Sequence, residues 1–343
     1  MRRFARVLLY TLLFFAIGEA VVRFDRATGF FRDETLAIDA AQPAMSEVLS
    51  RIESNTFVSD ERYLRVMVIG DSYLHGTRMA ESDRFSSVLR DRLARRAEVA
   101  GRDVVVLDLT VPGYNTFKNA EGFFAYVDSF DPHVVIWAYM INDVYSRSEA
   151  AVPVSPGAAT TVQAVPDRRR TDAWQRLFGT VIHETYSHVK VLQFSLPTLN
   201  RELKLRGIIL PGSQFHHEVS RSHDDAFVGW RNSREILTDV AATCRERGTH
   251  LAVLICPTLN MLGHYSVFDE TDARIAAFWQ EHGVTVLRGV EWFEVATGTD
   301  FAFSRYDGHP NQAAHAILAE NVSACITVPP PKRLVERSLS SVH

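Results

Sequence analysis

The chain has 343 residues, 46% of them hydrophobic, with a formal net charge of −4 and a pI near 6.4. That is enough apolar material for one large core, or for one domain carrying an insertion. The mildly acidic balance excludes the basic face a nucleic-acid partner requires, so no nucleic acid is expected.

At the N-terminus Arg2, Arg3 and Arg6 precede an apolar run over 7–18. The run alone has the length of a signal-peptide core. Continued past Glu19 through Ala20-Val21-Val22 and Arg23, the stretch from Val7 to Phe24 holds 18 residues, enough to span a bilayer. Glu19 and Arg23 are four apart on a helix and can pair. Residues 1–26 are therefore expected to be a membrane anchor, with cleavage after Ala16-Ile17-Gly18 as the alternative. In both cases the basic flank stays in the cytoplasm and the rest is exported to the periplasm or cell surface. Residues 27–60 are weakly patterned and read as a stalk.

From 61 onward short apolar strands alternate with amphipathic helices. The strands are expected at 65–69, 104–109, 134–139, 251–256 and 284–287. Most are continuous apolar runs, the pattern of parallel strands covered on both faces. Phe85, Val88, Leu89 and Leu93 line one helix, and Ala120, Phe123, Phe124 and Val127 a second. Leu237, Val240, Ala241 and Cys244 line a third, which Gly248 stops. Further helices are expected at 271–282 and 311–326. The rhythm implies an α/β fold: a flavodoxin-like, three-layer α/β/α arrangement around a parallel five-stranded sheet, with ligands at the carboxyl ends of the strands.

Residues 146–230 break this rhythm and read as an insertion, a candidate cap over the site. It starts with an Ala-, Pro-, Thr- and Ser-rich stretch, continues as a helical segment over 172–205, and ends in a polar stretch bearing His216, His217 and His223. The main domain is expected to run over 61–327, and the proline-bearing tail 328–343 to be disordered.

Three features lie at strand ends. Gly70-Asp71-Ser72 follows the first buried strand, which presents the Ser72 hydroxyl and nearby backbone N–H groups at its carboxyl end. Leu74 stands where an α/β-hydrolase elbow needs its final glycine, so this is a serine site of another kind. Gly113 follows the second strand and can offer a backbone N–H; Asn142 follows the third and can offer its side-chain amide. Far along the chain stands Asp307-Gly308-His309-Pro310-Asn311. Residues two apart in an extended segment point to one side, and Pro310 holds His309 extended. Asp307 can then orient His309 as the base for Ser72, a nucleophilic hydrolase arrangement.

These four blocks, in this order, resemble the SGNH (GDSL-like) hydrolase family: Gly70-Asp71-Ser72, Pro112-Gly113-Tyr114-Asn115, Met140-Ile141-Asn142-Asp143 and Asp307-Gly308-His309-Pro310-Asn311. The resemblance spans roughly 65–326. It implies Ser72 as nucleophile, His309 as base and Asp307 as orienter, with an oxyanion hole from the Ser72 backbone, Gly113 and Asn142. Two departures stand out. Met140 takes the place of the usual glycine, and Asp307 precedes His309 by two residues rather than three. The second resembles the anchored or periplasmic members linked to polysaccharide O-acetylation.

Other candidates carry less. Arg168-Arg169-Arg170 lies in a polar, proline-bearing stretch and reads as a solvated loop. Three cysteines, Cys244, Cys256 and Cys325, form no CxxC motif; Cys244 and Cys256 read as small buried residues. His183 and His188 are five apart, which turns them about 140° from each other on a helix, so they do not form an HExxH zinc motif. Asn321-Val322-Ser323 is a glycosylation sequon inside a predicted helix. Tyr73, Tyr114 and Tyr145 adjoin the site blocks and read as core or rim packing, with sugar stacking as the alternative. No metal or organic cofactor is expected. The expected activity is an exported serine esterase cleaving a short acyl group from a cell-envelope glycan or other ester. A polysaccharide O-acyltransferase with the same triad, and a non-catalytic glycan-binding scaffold, are the alternatives.

Overall fold

The computed structural model describes residues 62–77, 79–96, 99, 101–144, 202–208, 222–293, 300–305 and 307–329. The expected anchor, the stalk, Arg168–Arg170, the His183–His188 pair, His216, His217, Tyr145 and most of the expected insertion lie outside these residues. Among the described residues no helix is long and apolar enough to cross a membrane. The chain divides into two compact units: 1–39 with 166–215, and 40–165 with 216–343. Of the first, residues 202–208 are described; they form a short helical turn in which Gly207 N–H donates to Lys204 O.

The second unit is built on five parallel strands: β1 (Tyr63–Gly70), β2 (Asp103–Thr110), β3 (Val134–Tyr139), β4 (His250–Ile255) and β5 (Thr285–Arg288). Their order is β2-β1-β3-β4-β5, the flavodoxin-like order. The chain steps from β1 to β2 on one side and then crosses to β3 on the other. That reversal opens a crevice at the carboxyl ends of β1 and β3.

Strand alternation divides the core in two. Met67 and Ile69 of β1 face one way, with Val135 and Trp137 of β3. They pack under α3 (Thr116–Phe130), α4 (Val228–Arg247) and α5 (Asp269–Glu281), through residues such as Phe123, Trp230 and Trp279. Val66, Val68 and Ile136 face the other way, under α2 (Phe85–Leu93) and α6 (Gln312–Cys325), through Leu89, Leu93, Leu318 and Val322. The three layers follow from period-2 strands whose two faces are both apolar.

Several boundaries differ from the sequence expectation. The insertion was expected to reach 230, but Trp230 is buried in the core against Phe278 and His223, so its last residues pack with the main core. His223 is itself buried, with Nε2 2.9 Å from the Tyr139 hydroxyl. The tail was expected to be disordered from 328. Yet Val328 packs on the α2/α6 face, and Pro329 O accepts from Arg102 Nη1 at 3.0 Å. Apolar contact and a charged donor hold these two residues down; 330–343 lie outside the described residues. The sequence reading also omitted a two-stranded antiparallel hairpin, β6 (Ala302–Ser304) with β7 (Asp307–Pro310), and a 3₁₀ segment, Leu259–Phe268.

Candidate active site

Ser72 opens α1 (Ser72–His75), a single turn directly after β1. Asp71 caps this turn by accepting the Tyr73 N–H at 2.9 Å. Tyr73 and Leu74 are buried beneath it, and the Tyr73 hydroxyl donates to Pro257 O at 2.5 Å. The turn is thus fixed from below while Ser72 stays partly exposed above. It closes at Gly76, whose φ of 64° is the left-handed conformation glycine adopts without strain.

His309 arrives on β7, and Asp307 stands two residues earlier on the same strand. Asp307 Oδ1 accepts from His309 Nδ1 at 2.5 Å and from the His309 backbone N–H at 3.1 Å. With the proton held on Nδ1, Nε2 keeps its lone pair, and it lies 2.8 Å from Ser72 Oγ. Ser72, His309 and Asp307 therefore form a continuous relay across 237 residues of chain. Side-chain exposures of 48% for His309 and 28% for Asp307 leave the relay open to solvent.

The hairpin holding this pair is itself pinned, in part by Ser304 and Asn260, which the sequence reading did not single out. Ser304 Oγ accepts from the Asp307 N–H at 3.1 Å, and Asn260 Nδ2 donates to Arg305 O at 3.1 Å. Gly308 passes so close to Asn260 that a Cβ there would stand 2.6 Å from Oδ1. Asn311 caps α6 by accepting the Ala314 N–H at 3.1 Å, and its Nδ2 donates to Asp300 O at 2.9 Å. Asn260 sits in an apolar 3₁₀ stretch with no motif signature. Only the spatial pairing reveals it.

Gly113 follows β2 with φ 81°, again a glycine conformation, and is exposed. Ser72, Gly113, Asp307 and His309 line one pocket of about 280 Å³, together with Tyr73, Gly76, Thr77, Met79, Pro112, Phe303 and Pro310. Asn142 is exposed in the turn after β3, the strand next to β1; it does not line this pocket. Met140, in the place of the usual glycine, donates its N–H to Asp143 Oδ2 at 2.9 Å and so shapes this turn. The Asp143 carbonyl accepts the Thr116 N–H at 3.1 Å, tying the turn to the start of α3. Of the three tyrosines, Tyr73 is buried core and Tyr114 is exposed beside Gly113.

Two buried carboxyls underlie the site. Burial pushes Asp71 up from its ordinary value, opposed by its Tyr73 hydrogen bond and by the nearby His309. Burial, then the Asp71 charge, pushes Asp143 well above the usual carboxylate range, opposed by the Met140 N–H. Cys244 and Cys256 are buried as expected, and burial pushes the Cys244 thiol up to about 12. Cys325 is exposed. Among the described residues no cluster of His, Cys, Asp and Glu has the arrangement of a metal site. In the sequon, Asn321 Nδ2 donates to Ile317 O within α6, and Val322 is buried.

Among solved structures, the chain is similar to TesA, with 15% identity and a TM-score of 0.39 over 75% of this chain and 95% of that one. A member of the lipolytic G-D-S-L family from Veillonella parvula shows 10% identity and a TM-score of 0.40 over 76% and 97%. A carbohydrate acetylesterase family member from Sinorhizobium meliloti shows 13% and 0.39 over 76% and 95%. No curated protein matches the chain. Residues 68–317 match the GDSL-like Lipase/Acylhydrolase family, so the chain belongs to that family and is a serine hydrolase of the GDSL type acting on ester bonds.

Proposed function

We propose that Ser72 is the nucleophile, His309 its base and Asp307 the group that orients the imidazole, in an exported esterase that removes a short acyl group from a glycan. The relay from Ser72 Oγ through His309 to Asp307 carries the reading. His309 Nε2 takes the Ser72 proton as Oγ attacks the ester carbonyl, and returns it to the leaving alcohol. Water then enters by the same base and releases the acid from the acyl-enzyme. The backbone N–H groups of Ser72 and Gly113 and the Asn142 amide are the proposed oxyanion donors, drawn from the ends of three adjacent strands. Solvent access to His309 favours water over a sugar hydroxyl as acceptor.

The pocket of about 280 Å³ beside Ser72 and His309 has room for an acyl chain. Exposed Phe303, which lines the pocket, and exposed Tyr114, next in sequence to its lining residue Gly113, supply apolar faces suited to a sugar ring. The basic flank and apolar run over 7–18 support export and membrane anchoring. The test is turnover of 4-nitrophenyl acetate together with labelling by a fluorophosphonate probe. Ser72→Ala is expected to lose both, with a rate loss of about 10⁴-fold or more. A variant that keeps its rate, with the probe on another serine, removes Ser72 from the mechanism.

A further inference from the structure

Behind the pocket lies a set of hydrogen-bond donors that the proposed reaction does not use. Arg84 is only 3% exposed, yet its Nε and Nη1 are buried without a hydrogen-bond partner among the described residues. His315 is fully buried. Its Nδ1 accepts the Phe85 N–H at 2.9 Å, so the ring proton sits on Nε2, and that donor also has no partner among the described residues. Burial, then the charges of Arg84 and His309, pushes the His315 pKa down to about 3 and keeps the ring a neutral donor.

Both side chains pass close behind Gly76, which lines the pocket. A Cβ on Gly76 would stand 3.2 Å from Arg84 Cγ, 3.3 Å from His315 Cε1 and 2.6 Å from Met79 Cε. Gly76 and Met79 line the pocket, so the two residues lie one glycine and one flexible methionine behind it. A buried guanidinium whose Nε and Nη1 lack a partner among the described residues is unfavourable. A carboxylate answers it best, because it brings a negative charge and fits the planar fork of the guanidinium.

We propose that Arg84 and His315 form a subsite for one carboxylate group behind the Gly76–Met79 wall. The carboxylate is either the far end of an acid-terminated acyl chain on the ester or a free short-chain acid. The first source rests on the reading of Ser72 as nucleophile; the second does not.

The experiment has two arms, both on the full chain. In the first, kcat/KM is measured for 4-nitrophenyl hemisuccinate and 4-nitrophenyl butyrate, four-carbon acyl groups with and without a terminal carboxylate. The hemisuccinate-to-butyrate ratio should fall at least tenfold in Arg84→Met and fall less in Arg84→Lys, which keeps the charge but loses the planar fork. In the second, acetate and succinate are titrated at constant ionic strength against the melting temperature of Ser72→Ala. A saturable rise, absent when Arg84→Met is added, assigns the site to a free acid. A response in either arm supports the subsite and identifies the source. No dependence on Arg84 in either arm overturns it and leaves these donors to ordered water. Turnover by Ser72→Ala would instead defeat the nucleophile reading, and the melting arm would still decide the subsite. Should Arg84→Met fail to fold, the ratio in Arg84→Lys and the titration of Ser72→Ala alone decide: an unsaturable, salt-like response refutes the site.

Discussion

Asp307 uses one oxygen for two donors, and this makes Asp307→Asn an informative variant. Oδ1 accepts both the imidazole Nδ1–H and the backbone N–H of His309. An asparagine must keep its carbonyl oxygen on that side, because its NH₂ would meet two donors. The imidazole tautomer is therefore preserved, and the charge alone is lost. Two unit charges 4 Å apart interact by about 4 kcal/mol at an effective dielectric of about 20, and by about 1 kcal/mol in bulk water. With exposures of 28% and 48% the pair lies between these limits. A loss near 2 kcal/mol of imidazolium stabilisation corresponds to about 30-fold in kcat. Asp307→Ala loses the orienting acceptor as well and should cost about 10³–10⁴-fold. The assay is steady-state hydrolysis of 4-nitrophenyl acetate, with kcat compared across the two variants. If Asn falls as far as Ala, the amide has turned and the backbone anchor argument is refuted. If Asn matches the wild type, the charge contributes nothing to the reaction.

Asn142→Ala should lower kcat by about 10²–10³-fold if its amide holds the oxyanion; a change confined to KM would show that it only binds substrate. Gly308→Ala places a Cβ 2.6 Å from Asn260 Oδ1 and should displace the β6–β7 hairpin, lowering kcat more than it lowers the melting temperature; the reverse balance would show that the hairpin is not what the contact controls. Burial raises Asp272 to about 6, against the charge-favouring contacts of Tyr265 and Arg288. The folded state then holds this proton more tightly than the unfolded chain, so this group's contribution to stability is fully present below about pH 4 and is lost as pH rises to about 6. Asp272→Asn, which can still accept the Tyr265 hydroxyl, should flatten that part of the stability–pH curve measured by urea unfolding. An unchanged slope would refute the assignment.

The sheet was legible because both of its faces are apolar. Runs such as those at 65–69 and 134–139 have the length and composition of buried strands, and β3 falls where the apolar run placed it. Helix periodicity was equally plain for α2, α3 and α4. The site blocks were legible because Ser72, Gly113 and Asn142 each follow a strand at once, so their placement came with the sheet. The hairpin escaped because Ala302–Ser304 and Asp307–Pro310 are too short and mixed to show a period. Trp230 and His223 were assigned to the insertion because polar residues around them masked their inward aim. The donors Arg84 and His315 were invisible for another reason: they are 231 positions apart, and only the packing of α2 against α6 brings them together.

All five strands of the sheet are complete by Arg288, while His309 and Asp307, the proposed base and its orienter, come later, on the hairpin that leads into α6. The same C-terminal segment covers one face of the sheet, where Ala314, Leu318, Ala319 and Val322 are fully buried. A nascent chain therefore carries its serine for most of synthesis without a partner to activate it. Docking of α6 both seals that apolar face and brings His309 to Ser72, so one packing event serves the core and the proposed site together. Chains cut short before it should be inert toward esters and prone to aggregate.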